Sequence, residues 1–275
     1  MKAEKEVIVL SSKEDSFIVF LRKIISFRSL IWVFAKRDLK AKYSQTLIGI
    51  GWSVLQPLVA LLIYTFFFGY ILNWTANDIP YPVHILSGLF GWNFFTYIVN
   101  AGSMSVQESS HIIKKIYFPK SILPFSKVVL GLVDILFSLL LLIPLLFYYN
   151  VGLSWHIVFL PFVLVFNAIC ALTLVFWIGA LAFKKRDLFH LLPFIVYFGI
   201  WFTPVFFTNS FLPEHLSFLL EFNPMASVVN LWRWMLFNNE PFQMVWLLNF
   251  CIVTCFCLFG MFMYNKKESK FSDFV

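Results

Sequence analysis

Apolar and polar positions in this chain alternate on the scale of whole helices. Six apolar stretches of roughly 19 to 29 residues, long enough to span a bilayer, are separated by short polar links. They fall at about Trp52–Leu72, Val83–Ala101, Ile122–Tyr148, Trp155–Phe183, Leu188–Phe207 and Phe242–Tyr264. A helix rises about 1.5 Å per residue, so about twenty residues cross the hydrocarbon core. The pattern predicts an all-α polytopic membrane protein with six transmembrane helices.

Ahead of the first stretch, Phe20, Ile24, Phe27, Ile31 and Phe34 recur at spacings of four and three, with Arg22, Lys23, Ser26 and Ser29 on other faces. That period describes an amphipathic helix lying in the membrane interface. Between the second and third spans, Glu108, Ser109 and Ser110 favour a helix start, His111–Tyr117 has room for two turns, and Pro119 ends them. The stretch from Phe211 to Glu240 is apolar, but Pro213, Pro224 and Pro241 cut it into pieces too short to cross. It reads as two short helices in an interfacial or re-entrant cap. The expected organisation is a cytoplasmic N-terminus at 1–51, a six-span domain at 52–264 and a cytoplasmic tail at 265–275. Within the domain, the link lies at about 102–127 and the outer cap at about 208–241.

Charge orients this arrangement. Threading the chain six times puts ten basic residues (Met1–Gly51), four (Gly102–Lys127), three (Lys184–Arg186) and three (Lys266–Lys270) on one side, leaving Arg233 alone on the other. Positive flanks stay cytoplasmic, so both termini are expected inside. Hydrophobic residues make up 60 % and charged residues 13 %, a balance no water-soluble domain of this size presents to solvent. The net charge of +7 sits at membrane borders, facing lipid headgroups rather than nucleic acid. Residues 1–16 hold no apolar core long enough for a cleavable signal, so the N-terminus is expected to be retained.

Chemistry-bearing motifs are few. The sequence has no G-x-x-x-x-G-K-S/T phosphate loop, no H-E-x-x-H helix, no G-x-S-x-G elbow and no carboxylate cluster. The five histidines are scattered over links and borders. Cys170, Cys251, Cys255 and Cys257 all fall inside spans; Cys251 and Cys255 share a face without a histidine near them in sequence, which favours packing over metal binding. No catalytic or metal-ligating residue is assigned.

The motifs that do stand out keep a fixed order. RDLK-x-KY-x-x-x-x-x-G-x-x-W precedes the first span, IKKIYFPKSILP follows the second, TPVFF occupies 203–207, and NP at 223–224 is followed nine residues later by Arg233. In this order the chain resembles the permease subunits of type 2 ABC exporters for polysaccharides, the O-antigen, capsule and teichoic acid permeases. The resemblance implies a homodimer paired with two copies of a separate ATPase. ATP and Mg would be bound by that partner, with no cofactor in this chain. The implied substrate is a polysaccharide on a lipid anchor, moved through a channel at the dimer interface.

The resemblance also implies site residues. The link would couple to the ATPase through Glu108, His111, Ile112, Lys114, Lys115, Tyr117, Phe118 and Pro119; a plain charged border loop is the alternative. In such permeases the loop before the first span admits the lipid anchor, which here involves Lys36, Arg37, Lys40, Lys42, Tyr43, Ile48, Gly49 and Trp52. Isoleucine stands at 48 where the family usually has leucine. Lys36, Arg37, Lys40 and Lys42 form a candidate pyrophosphate cradle, or else set topology and bind anionic lipid.

Phe, Trp and Tyr make up 20 % of the chain, more than interfacial belts require. Sugar rings stack on aromatic planes, so Trp92, Phe94, Phe95, Tyr97, Tyr197, Trp201 and Phe202 are channel candidates, with lipid-facing or core packing as the alternative. Asp134 lies well inside the third span, where it is hydrogen-bonded or faces a watery lumen. Lys127 shares its face but sits about 10 Å away along the helix. Arg233 faces the outer channel mouth or snorkels to the interface. Two other readings compete: a type 2 exporter of a small lipid or drug, and an intramembrane glycan polymerase or transferase.

Overall fold

The computed structural model describes residues 17–44, 48–74, 79–182, 187–208 and 213–268. The N-terminal residues 1–16, which are expected to be retained, the centre of the first outer turn, the basic link at 184–186 and Lys270 lie outside them. The α-helices of the described residues follow in chain order: α1 (Phe17–Ser26), α2 (Arg28–Tyr43), α3 (Trp52–Tyr64), α4 (Tyr81–Glu108), α5 (Ser110–Ile113), α6 (Ile122–Tyr149), α7 (Leu160–Ala182), α8 (Asp187–Gly199), α9 (Ser217–Glu221), α10 (Pro224–Phe237) and α11 (Met244–Glu268). A π-helix, Thr65–Ile71, continues α3, a 3-10 turn, Trp155–Phe159, leads into α7, and another, Ile200–Phe202, follows α8.

Among the described residues, four helical stretches are long and apolar enough to cross a membrane: Trp52–Ile71, Ile122–Tyr149, Trp155–Ala182 and Met244–Glu268. They coincide with the first, third, fourth and sixth expected spans. The expected second span is longer than the apolar run at Val83–Ala101 and more polar. Helix α4 is buried along most of its length between α6, α7 and α10, so it carries small and polar residues where the others carry lipid-facing leucines. Gly91 lets the Trp232 ring approach, since a Cβ there would lie 2.9 Å from Trp232 Cδ1. Asn167 Nδ2 donates to the Gly91 carbonyl at 3.0 Å, joining α7 to the same point. The fifth expected span is shorter than expected, because α8 stops at Gly199 and the backbone turns at Thr203 ahead of Pro204.

Asparagine ends two of the helices. Asn150 after α6 and Asn238 after α10 adopt φ of 53° and 52°, left-handed conformations that asparagine tolerates better than most residues. At the start of α10, Asn223 Oδ1 accepts from Met225 N at 3.0 Å, with Pro224 at the first helical position. Helices α9 and α10 are the two short helices read into the cap. Helix α10 is far more enclosed than a surface cap, with residues 225–236 all buried.

The amphipathic helix before the first span is broken at Phe27 into α1 and α2. Phe20, Ile24 and Phe34 are buried as the spacing predicts. Phe20 and Ile24 join the main core, whereas Phe34 packs with Val106, Phe118, Ile122 and Leu123 in a second, smaller core.

Candidate functional site

Two adjoining cavities run along one face of α4. The first, about 510 Å³, is lined by Lys42 from α2, by Ser53, Gln56 and Pro57 from α3, by Phe94, Tyr97 and Asn100 from α4, and by Gly131, Asp134 and Ser138 from α6, among others. The second, about 280 Å³, is lined by Tyr64, Trp92, Tyr197, Trp201 and Phe206. Ala60, Asn93, Thr96 and Asn100 line both, so the two form one groove. Its wall moves up α3 from Ser53 to Tyr64 as it moves back along α4 from Ala101 to Leu89, as two antiparallel helices require.

At the α2 end of the groove, Asp134 is the centre of a polar cluster. Its carboxylate accepts from Lys42 Nζ at 2.6 Å and Ser53 Oγ at 2.9 Å, and from the Tyr43 hydroxyl, which also contacts Ser53. Ser138 Oγ donates to the Asp134 backbone carbonyl at 3.0 Å. The Lys42 ammonium stands 4.6 Å from the centre of the Tyr97 ring. Burial, then the hydrogen bond to Asp134, raises the Tyr43 hydroxyl well above its ordinary range, so it stays protonated and donates. Of the alternatives weighed for Asp134 the hydrogen bonds are present, and its side chain also lines the first cavity.

Lys127, on the same helix, serves a different cluster. Its ammonium lies 2.9 Å from Asp38 Oδ2 and 3.2 Å from Glu108 Oε2. Arg37 pairs with Asp38 at 2.7 Å, reaches Ser109 Oγ at 3.4 Å and lies 5.0 Å from the Phe34 ring centre. The four cations proposed as a cradle therefore do not gather into one. Lys36 and Lys40 are exposed, Arg37 turns to the link, and Lys42 turns to Asp134. Ile48 and Trp52 are exposed beside Gly49, whose φ of 58° suits glycine. Leu47 lies outside the described residues.

The link departs from its expected shape. Helix α4 runs on to Glu108, held by Lys127, and a single turn (α5) replaces two. His111, Lys114, Lys115, Ile116 and Tyr117 are exposed, while Ile112 is half-buried. Phe118 and Pro119 are buried, so Phe118 cannot plug a partner's cleft; its ring packs 5.2 Å from that of Phe34.

Of the aromatic candidates, Phe94 and Tyr97 line the first cavity, and Trp92, Tyr197 and Trp201 the second. Phe95 is buried against Trp92, and Phe202 is 72 % exposed; neither lines the groove. Arg233 is neither at a mouth nor snorkelling. It is 4 % exposed, and its Nη2 donates to the Val205 carbonyl at 2.9 Å. Asn223 Nδ2 donates to the Phe202 carbonyl at 2.8 Å, and the Tyr81 hydroxyl to that of Phe206 at 2.9 Å. The motifs TPVFF, NP and Arg233, far apart in sequence, thus form one knot that satisfies carbonyls freed where the backbone turns at Pro204. Asn93, Thr96 and Asn100 were not singled out from sequence, although their spacing on one helix face was visible there.

Comparison with known proteins places these features in a family. The chain is 27 % identical over 250 residues to the O-antigen export system permease protein RfbA of Klebsiella pneumoniae, covering 90 % of this chain and 95 % of that one. An O-antigen export system permease protein RfbA from Myxococcus xanthus is 27 % identical over 226 residues, 81 % and 86 % of the two chains. The polysialic acid transport protein KpsM of Escherichia coli is 24 % identical over 242 residues, 84 % and 91 % of the two. The family described as ABC-2 type transporter matches residues 29–237, which include α2, the groove and the knot around Arg233, and the chain belongs to that family.

Proposed function

We propose that this chain is the membrane-embedded permease of an ATP-driven exporter of lipid-linked polysaccharide. It works as a homodimer with two copies of a separate ATPase subunit in the bacterial inner membrane, both termini cytoplasmic. In this reading α4 and α8 supply the two further crossings. The observation that carries the reading is the groove. It joins a charged end at Lys42 and Asp134 to an aromatic end at Trp92, Tyr197 and Trp201, with neutral amides between. A polyhydroxylated chain needs such a wall, with rings for its C–H faces and amides for its hydroxyls. The names of the relatives agree with it.

The apolar faces of α3 with its π-helical continuation and of α8 are the surfaces a second copy covers, since Leu62, Phe66, Phe194 and Phe198 are exposed there. ATP hydrolysis in the partner acts on the exposed part of the link, at His111, Lys114, Lys115 and Tyr117. Lipid anchors are admitted beside Lys36, Lys40, Ile48 and Trp52.

The test is co-expression with the ATPase encoded beside this chain, followed by purification and measurement of ATP turnover. The expected result is a stable complex whose turnover changes in a Lys114→Glu, Tyr117→Ala variant. If no ATPase co-purifies and the surface glycan persists after deletion of this chain, the reading fails.

A further inference from the structure

The groove contains two polar atoms that the chain itself does not satisfy. Thr96 Oγ1 and Asn100 Oδ1 are both buried, and neither has a hydrogen-bond partner among the described residues. Their position makes this informative. Several other hydroxyls in the apolar helices bond back to a carbonyl three or four residues earlier: Ser87 to His84 at 2.7 Å, Ser103 to Val99 at 2.6 Å, Thr173 to Ile169 at 2.7 Å and Thr254 to Phe250 at 2.7 Å. That local bond is the ordinary solution for a hydroxyl in a membrane helix. Thr96 does not take it. Thr65 Oγ1 and Ser121 Oγ also lack a partner among the described residues, but neither lines the groove.

Asn93, Thr96 and Asn100 stand at i, i+3 and i+7 on α4, one face over roughly 10 Å of helix. All three line both cavities, where the two join. The stretch is uncharged, with the Lys42–Asp134 pair at one end and Trp92 and Trp201 at the other. Amide and hydroxyl groups both donate and accept, which matches hydroxyl groups better than phosphates, whose oxygens call for cations.

We infer that Asn93, Thr96 and Asn100 form a hydrogen-bonding track that holds the sugar hydroxyls of the exported chain as it crosses the groove. The inference rests on the exporter reading and adds the residues that grip the glycan. A neutral track with few donors holds each sugar weakly, as a polymer that must keep moving requires.

The experiment deletes this chain from its host strain, reads the surface polysaccharide, and complements the deletion with variants co-expressed with the native ATPase. Thr96→Val removes the hydroxyl and keeps the shape; Asn100→Leu does the same for the amide. Each is expected to lower displayed polysaccharide roughly three- to tenfold, the worth of one hydrogen bond, while Thr96→Ser keeps native display. The thermal unfolding of Thr96→Val should be unchanged or raised, because a hydroxyl without an internal partner contributes nothing to the fold. Thr173→Val, outside the groove, should display normally. Native display by Thr96→Val and Asn100→Leu together, or an equal loss in Thr173→Val, would overturn the track. Persistence of the polysaccharide in the deletion strain would instead overturn the exporter reading beneath it.

Discussion

Replacing Asp134 tests whether the polar end of the groove is a built structure. In the folded chain its carboxylate takes hydrogen bonds from Lys42, Tyr43 and Ser53. Asp134→Leu takes that acceptor from all three donors, leaving Tyr43 and Ser53 in contact with each other. Tyr43 is buried at 8 % exposure, and losing its acceptor costs about 1 kcal/mol. The Lys42 and Asp134 side chains are 34 % and 23 % exposed, so water in the cavity screens their pair, and its loss is worth about 1 kcal/mol rather than the larger figure for a dry interior. With Ser53 added, the expected loss is about 2–3 kcal/mol, a fall of roughly 5–8 °C in unfolding temperature for a chain of this size. Asp134→Asn keeps the shape and one acceptor and should lose about half as much. The assay is thermal unfolding of the purified complex in a double-mutant cycle with Lys42→Met. Because the two residues touch, the double variant should be more stable than the sum of the single losses by about 1 kcal/mol. Strict additivity, or an Asp134→Leu protein as stable as the native one, would refute the pairing of α2 with α6.

Two further expectations concern residues whose placement differs from what the sequence implied. Phe118→Ala empties the second core beneath the link and should cost about 3–4 kcal/mol, so unfolding temperature and ATPase co-purification fall together. Arg233→Met leaves the Val205 carbonyl without its donor and should destabilise by about 1–3 kcal/mol, with Arg233→Lys failing to restore it because lysine lacks the planar fork; denaturant unfolding reads both.

What was legible in the sequence followed its range. The apolar runs located α3, α6, α7 and α11 within a few residues, because a span is a local property of composition. The end of α4 was not legible, since the residue holding Glu108 in the last turn is Lys127, nineteen positions on. Spacing along α6 correctly kept Lys127 from pairing with Asp134, but no periodicity could show that each had a partner on α2, Asp38 and Lys42. The same limit hid Arg233. A lone cation among apolar residues looks interfacial until the carbonyl it serves is folded against it from twenty-eight positions away. Asn93, Thr96 and Asn100 are the opposite case. Their common face was countable, and the abundance of aromatic residues beside them drew attention to rings instead.

The long-range contacts that tie the link to the groove pass through α2. At its start Phe34 packs on Phe118, in the middle Arg37 and Asp38 reach Ser109 and Lys127, and near its end Lys42 and Tyr43 hold Asp134. The link and the groove are thus joined by one helix of sixteen residues, about 24 Å long. A force on the exposed residues of the link meets a buried core at Phe118 and Phe34 before it can be absorbed by bending, and a helix transmits displacement along its axis. Under the proposed function, the partner's ATP cycle therefore acts on the charged end of the groove through α2. The Asp134–Lys42 pair, partly exposed and worth only about 1 kcal/mol, is weak enough to open and close in each cycle.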